Sequence, residues 1–190
     1  MKSIASKETQ KLYYTLADSP LGALTLASDG EKLVGLWIEG QKYHGHALYE
    51  GMIEKSDLAI FKTCKHWLDK YFKGENPPLT EIAFGAVGAS DFRKAVWEIL
   101  CAIPYGSLVT YGTISKMLAK RFGKQTMSAQ AVGGAVGHNP ISIIVPCHRV
   151  VGGNGSLTGY AGGIAKKIKL LELEGVDVGK FFVPTKGTAL

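Results

Sequence analysis

Cysteines, arginines and long apolar runs are scarce in this chain of 190 residues, and each shortage argues against some classes of protein. Three cysteines are an odd number and the N-terminus has no apolar signal core, so we expect reduced thiols in a cytoplasmic protein rather than a disulfide framework. No apolar run approaches the length of a membrane span, so no membrane partner is expected. Internal repeats and low-complexity segments are absent as well, and the composition is that of a globular protein.

The chain is basic, with a net charge of +6 and a pI of about 9.1. A basic balance favours polyanionic partners, and nucleic acid is the first of these. Arginine accounts for only three of the 22 basic residues, namely Arg93, Arg121 and Arg149. If the chain binds DNA, lysines and backbone amides must therefore make most of the phosphate contacts.

The first half of the chain predicts a small α/β unit. Residues 11–42 alternate apolar and polar side chains between the turn signals SPLG and SDG, and this pattern is typical of strands. Residues 57–73 have apolar side chains at helical spacing, with Asp57 as the expected N-cap. This half contains no cluster that suggests catalysis, so the chemistry is expected in the second half.

The second half predicts three short helices with tight turns, over residues 90–103, 113–122 and 127–137. Ser90 or Asp91 is expected to cap the first helix. Such a set is typical of a helix-turn-helix. The third helix has few large side chains because alanine and glycine dominate it. It can therefore approach a phosphate backbone or a groove floor closely, or pack tightly against another element.

Cys147, His148 and Arg149 stand side by side after Pro146. Residues 141–151 read as a short strand, in which neighbouring side chains point to opposite faces. His148 would then reach the Cys147 thiol only around a bend or through a water. A base or a cation nearby lowers a thiol pKa, which makes Cys147 a candidate nucleophile. The alternative is a buried, inert thiol, because free cysteines are among the most buried residues.

The last helix is predicted over residues 164–175, after a turn signal at residues 154–155 that indicates a hairpin or a loop. Its charges oppose the helix dipole, with Lys166 and Lys167 in the first turn and Glu174 in the last. A carboxylate that orients a histidine would explain Glu174. Lysines that face a phosphate backbone would explain the basic pair, and solvated surface charges would explain it equally well.

The PCHRV motif at residues 146–150 resembles the active-site motif of the O6-alkylguanine-DNA alkyltransferases, also called methylated-DNA–protein-cysteine methyltransferases. Three longer segments look like this family in order and spacing: VWEILCAIPYGSLVTYGTIS, AVGGAVGHNPISIIVPCHRVVGGNGSLTGYAGG and KKIKLLELEG. The resemblance covers about residues 92–175. It implies an α+β fold, with a small N-terminal α/β (ribonuclease-H-like) domain over 1–87 and a mainly helical helix-turn-helix (winged-helix-like) domain over 88–190.

The resemblance implies DNA repair by direct damage reversal. Members bind duplex DNA and flip an O6-alkylguanine out of the stack, and O4-alkylthymine is a further candidate substrate. By this resemblance the thiolate of Cys147 takes the alkyl group, and the thioether product limits the protein to one turnover. No cofactor is implied, and a monomer is expected.

The same resemblance assigns roles to individual residues. His148 acts through a water as the base that deprotonates Cys147, Glu174 orients His148, and Asn139 braces the turn that carries the cysteine. The Tyr111 hydroxyl donates to the flipped guanine. The backbone of three residues is expected to line the base pocket: Val150, Tyr160 and Ala161. The third helix enters the minor groove, where three contact residues are expected: Ser128, Gln130 and Gly133.

Gln130 departs from the common family pattern, in which an arginine fills the gap left by the flipped base. Glutamine can hydrogen-bond an orphaned base but brings no charge. Arg149 is expected to pair within the domain, and Cys101 is expected in the core. Some family members bind zinc in the N-terminal domain, but no metal is expected here because the candidates lack a zinc-ligand spacing: Cys64, His66, His44 and His46.

Two other classes of protein fit part of the pattern. A helix-turn-helix lesion sensor or regulator would bind DNA and leave Cys147 unmodified. A hydrolase or acyltransferase with a Cys-His-Glu triad would turn over repeatedly and would need an oxyanion hole, which the glycine-rich loop could supply. The alkyltransferase is the favoured prediction because it accounts for the thiol, the third helix and Glu174 together.

Overall fold

The computed structural model describes residues 11–42, 51–85 and 88–185, and it begins with a small four-stranded sheet. The strands are β1 (Tyr13–Ala17), β2 (Leu24–Ser28), β3 (Leu33–Ile38) and β4 (Ile53–Glu54). They lie in the order β3-β2-β1-β4, with antiparallel pairs except for the parallel pair β1 and β4. The strands predicted within residues 11–42 are confirmed.

Helix α1 (Ala59–Phe72) packs its apolar face into the core, as the helical spacing predicts. The predicted cap is wrong. Asp57 lies one residue before the N-cap position, which Leu58 occupies with a side chain that has no acceptor for the first amides. Leu58 packs against the hydrophobic core instead, so burial of an apolar side chain sets the start of this helix.

The second half contains the three predicted helices: α2 (Asp91–Cys101), α3 (Tyr111–Arg121) and α4 (Ala129–Gly137). Each begins after a hydroxyl residue whose side chain accepts an amide of the first turn, and these caps are Ser90, Thr110 and Ser128. The Ser128 cap starts α4 two residues later than predicted. The three helices contact one another, as expected of a helix-turn-helix unit.

The strand predicted over residues 141–151 is mostly wrong. Only β6 (Val150–Val151) is a strand, parallel to β5 (Val109–Thr110), and a 3₁₀ turn covers Cys147–Arg149. Ile143 has φ +70°, which takes the chain out of the extended conformation. The segment after β6 is a loop and not a hairpin.

Helix α5 (Ile164–Leu173) follows that loop, and short 3₁₀ turns cover Leu79–Glu81 and Val178–Lys180. The largest core cluster is continuous between the sheet half and the helical half, since it contains Leu36 and Phe61 together with Val145. A sheet unit followed by a helical unit is the predicted α+β fold. Among the described residues no helix has the length and apolar character needed to cross a membrane.

Candidate active site

Asn139 ties together the turn that carries Cys147. Its amide nitrogen donates to Val145 O at 2.8 Å, to Ile141 O at 3.2 Å and to the Cys147 sulfur at 3.1 Å. Its oxygen accepts from Ile141 N at 3.0 Å. The amide follows α4 directly, so it couples the end of that helix to the cysteine turn. Asn139 therefore contacts the turn at Ile141, Val145 and Cys147, and its bracing role stays a prediction.

His148 is directed toward Glu174 by the 3₁₀ turn. Such a turn has about three residues per turn, so Cys147 and His148 do not point to opposite faces as they would in a strand. The His148 ring is fully buried, and its Nε2 lies 2.8 Å from Glu174 Oε1. An ionised carboxylate only accepts, so Nε2 carries the hydrogen and Nδ1 keeps a lone pair. Nδ1 has no hydrogen-bond partner among the described residues.

Glu174 caps the end of α5 and gathers donors from separate parts of the chain. Arg149 donates to both of its oxygens, at 2.8 and 2.9 Å, and Gly106 N donates to Oε2 at 3.1 Å. Burial raises the pKa of Glu174, but hydrogen bonds from His148 and Arg149 outweigh it and hold that pKa well below its usual range. Arg149 also donates to Ile103 O at 2.6 Å, which confirms its predicted structural pairing.

Cys147 and His148 are both neutral in the resting site. Burial raises the pKa of the Cys147 thiol, although the Asn139 hydrogen bond and the Lys167 charge act in the opposite direction. Burial lowers the pKa of His148 and outweighs the hydrogen bond and charge of Glu174. The site therefore pairs a protonated thiol with an imidazole that can accept a proton.

Tyr111 and the predicted base-pocket residues lie around this centre. The Tyr111 hydroxyl donates to Gly159 O at 3.2 Å, and burial raises its pKa. The Tyr160 ring meets the His148 ring edge-on, with centroids 6.4 Å apart. Ala161 O accepts from Lys42 N of the sheet half at 2.9 Å. The structure thus brings the loop that contains Tyr160 and Ala161 close to both Tyr111 and His148.

Helix α4 has one buried and one exposed face. Ser128 and Gln130 are exposed, while Val132 and Val136 are buried. Gly133 lies at the edge, where an added Cβ would sit 4.0 Å from the Tyr111 ring. The prediction of tight packing therefore holds for one face of this helix, and the other face presents mainly small side chains outward.

Lys167 is a site residue that the sequence-based interpretation placed wrongly. It neither faces a phosphate backbone nor lies in solvent, because its side chain is fully buried on the apolar face of α5. Its Nζ donates to Val150 O at 2.5 Å and to Thr158 O at 2.7 Å, and burial lowers its pKa to about 8. Its helical spacing from Ile164 and Leu171 was the signal that could have located it. Lys166 donates to Glu39 O.

Tyr71 is a second residue that was missed. It lies on α1, in the half where no chemistry was expected, and its hydroxyl donates to Glu174 Oε1 at 2.7 Å. The helical spacing of residues 57–73 predicts Tyr71 only as an apolar core position. Nothing in the local sequence signals this contact, because the partner lies 103 residues away along the chain.

The zinc candidates do not form a cluster in the part of the chain that the structure describes, where no group of three potential ligands occurs. Cys64 is buried in the core, where burial raises its pKa to about 12, and His66 is exposed. His44 and His46 lie outside the described residues. Cys101 is only partly buried, at the edge of the core in which it was predicted to lie.

Comparison with known proteins identifies relatives along nearly the whole chain. Residues 12–84 match the family model of the 6-O-methylguanine DNA methyltransferase ribonuclease-like domain, and residues 91–176 match the model of the DNA binding domain of the same family. A methylated-DNA–protein-cysteine methyltransferase of Mycobacterium tuberculosis is 42% identical over 86% of this chain and 92% of the relative. The Haemophilus influenzae protein of the same name is 37% identical over 86% of each chain.

Solved structures agree with these relatives. The crystal structure of M. tuberculosis OGT in complex with DNA matches with a TM-score of 0.72 and 40% identity, over 91% of this chain and 96% of that one. An O6-methylguanine-DNA methyltransferase from Pyrococcus kodakaraensis matches with a TM-score of 0.61 and 26% identity, over 87% of this chain and 99% of that one. The α+β fold predicted from the sequence is confirmed.

Proposed function

Because the chain belongs to the 6-O-methylguanine DNA methyltransferase family, it is a DNA-repair protein that reverses alkylation directly, and we propose that Cys147 takes up the alkyl group. The proposed substrate is O6-alkylguanine in duplex DNA, with O4-alkylthymine as a further candidate. One arrangement carries the assignment: a buried thiol held by Asn139, beside a neutral His148 that an ionised Glu174 orients.

The proposed reaction needs one proton transfer and one substitution. His148 Nδ1 accepts the thiol proton through a water, since its Nε2 hydrogen is committed to Glu174. The thiolate sulfur then bonds to the alkyl carbon while the bond from that carbon to guanine O6 breaks. The guanine leaves as an anion and takes up one proton while the Tyr111 hydroxyl donates a hydrogen bond to the flipped base. The proton that His148 took from the thiol is released to solvent, so the exchange is balanced overall. The thioether retains no leaving group that water readily displaces, so each protein molecule acts once.

The proposed DNA contacts lie on the exposed face of α4 and beside the cysteine turn. Ser128, Gln130 and Gly133 meet the minor groove, where small side chains permit close approach. The flipped base is proposed to lie against Tyr111 and against the backbone of Val150, Tyr160 and Ala161. Action as a monomer in the cytoplasm is part of the proposal, and the three free thiols of the described residues support a reducing compartment.

Intact-protein mass spectrometry tests the assignment. Mixing the protein with duplex DNA that contains one O6-methylguanine should add one methylene per molecule, mapped to the Cys147 peptide. Cys147→Ala should gain nothing and still bind the DNA. Cys101→Ala is the matched control, since it removes a partly buried thiol outside the site and should transfer normally. Binding without a mass gain would instead identify a lesion sensor, and repeated turnover would identify a hydrolase or acyltransferase.

A further inference from the structure

We propose that Tyr71 is a positioning residue for the transfer reaction, supplied to the His148–Glu174 pair by the sheet half of the molecule. The inference rests on the proposed function of Cys147. The Tyr71 hydroxyl donates to Glu174 Oε1 at 2.7 Å and lies 3.4 Å from His148 Nε2. The hydroxyl therefore contacts both His148, the proposed base, and Glu174, the carboxylate that orients it.

Packing around the Tyr71 ring fixes the position of its hydroxyl. The residue is 1% exposed, and its ring stacks on Trp67 with centroids 5.4 Å apart and planes 9° apart. Phe72 and Tyr105 meet the ring edge-on at 5.5 and 6.1 Å. The indole of Trp67 is fixed in turn by its hydrogen bond to Pro78 O at 3.1 Å. Burial followed by the charge of Glu174 raises the pKa of Tyr71, so it remains a neutral donor.

The hydroxyl shapes the charge that His148 meets. Glu174 Oε1 accepts from His148 Nε2, from Arg149 and from Tyr71, so its negative charge is divided among three donors. Without the hydroxyl, more of that charge acts on the imidazole and favours its protonated form. A protonated His148 cannot accept the thiol proton, so the pH range in which the base works should move upward.

Other groups around His148 keep their charge when Tyr71 is changed. Arg149 and Lys167 disfavour the imidazolium, and Glu174 favours it. Tyr160 contributes a neutral ring edge, and the neutral Cys147 is the adjacent residue. Because these groups are common to wild type and variant, a difference between the two pH profiles reports the Tyr71 hydroxyl.

Tyr71→Phe removes only the hydroxyl, and Tyr105→Phe is the matched control. The Tyr105 hydroxyl donates to Leu173 O at 3.1 Å and not to the Glu174 carboxylate. Single-turnover transfer from duplex O6-methylguanine should be about tenfold slower in Tyr71→Phe at saturating DNA, as expected for a lost hydrogen bond to a charged group. The acid limb of its pH–rate profile should move to higher pH, while its DNA dissociation constant stays within about twofold of the wild-type value. Tyr105→Phe should match wild type in all three measurements.

A structural role for Tyr71 would give a different result. If Tyr71→Phe keeps the wild-type acid limb, or if Tyr105→Phe slows transfer equally, the proposal is wrong. Fluorotyrosine at position 71 keeps the ring and strengthens the donor, so it should move the acid limb to lower pH. The ring nitrogen NMR shifts of His148 report its pKa without DNA. They keep this proposal testable even if wild type transfers no alkyl group, an outcome that would refute the proposed function alone.

Discussion

Glu174→Gln should be among the most damaging conservative changes in the molecule. The carboxylate accepts hydrogen bonds from His148, Tyr71 and Gly106 and two more from Arg149. A glutamine amide has one oxygen that accepts and a nitrogen that only donates. The nitrogen would therefore face groups that also donate, and their hydrogen bonds would be lost. The Arg149 guanidinium would also remain buried without its counter-charge.

The expected cost follows from that buried pair. The side chains of Glu174 and Arg149 are 0% and 10% exposed. Removing one partner of a buried ion pair costs about 3–5 kcal/mol. Globular domains are stable by about 5–15 kcal/mol, so this is a large share of the total. For a chain of this size, each kcal/mol lowers Tm by about 2–4 °C, which predicts a fall of roughly 6–20 °C.

Low pH should narrow the difference in the free energy of unfolding between wild type and Glu174→Gln. The folded pKa of Glu174 lies below its unfolded value, so the stabilisation is present above about pH 4 and is lost as pH falls below it. Glutamine has no such dependence. Urea denaturation of both proteins should show the stability gap shrinking by about 1.4 kcal/mol per pH unit below about pH 4. Transfer at neutral pH should fall about 100-fold or more, because His148 loses the group that sets its tautomer.

Two results would refute this reasoning. A stability gap that is equal at neutral and acidic pH would mean that the loss comes from packing and not from charge. A gap below about 1 kcal/mol at neutral pH would mean that the buried guanidinium finds other acceptors without cost.

Two further changes test other parts of the site. Lys167 is protonated in the unfolded chain up to about pH 10.5 but loses its proton near 8 in the fold, so wild-type stability relative to Lys167→Met should rise by about 1.4 kcal/mol per pH unit between those values. Stability would be measured by urea denaturation at several pH values. If the stabilities of wild type and Lys167→Met change in parallel across that range, the lowered pKa of Lys167 is wrong. A Cβ at Gly159 would overlap the Tyr111 hydroxyl, so Gly159→Ala should slow transfer about tenfold or more. Gly123→Ala has the same left-handed backbone strain but lies in open space, so it should lose about 1–2 kcal/mol of stability and still transfer at the wild-type rate. Equal transfer rates in the two variants would contradict the prediction.

Local patterns predicted the regular elements well. Alternation located β1 to β3, and helical spacing located α1, α2 and α5, because both patterns reflect which face of an element is buried. Turn signals bounded α3 and α4. The resemblance then pointed to Cys147, His148 and Glu174, and the structure places the last two in direct contact. Their catalytic roles remain predictions that the experiments above test.

Contacts between distant segments were not predictable from local patterns. The apolar run over residues 141–151 suggested a strand, but Ile143 turns the chain and the segment packs beside β3, where Ser142 N donates to Leu36 O at 2.9 Å. Lysine side chains usually lie at the surface, but Lys167 lies on the buried side of α5 because its Nζ donates to two backbone carbonyls. Such outcomes depend on tertiary partners, which periodicity within one segment does not contain.

The sheet half holds the reactive half at several points, so its contribution extends beyond burial of the core. Gln41 accepts from the Ser142 hydroxyl at 2.9 Å, Lys42 N donates to Ala161 O, and Tyr71 reaches Glu174. These contacts involve the segment before the cysteine, the loop beside the base pocket and the carboxylate behind the base. If Cys147 is used once, as proposed, its thiol must stay protonated until the substrate arrives, and burial achieves this only while the surroundings remain closed. Loosening the sheet half should therefore expose Cys147 to small electrophiles before it weakens DNA binding, and alkylation by iodoacetamide would measure that exposure.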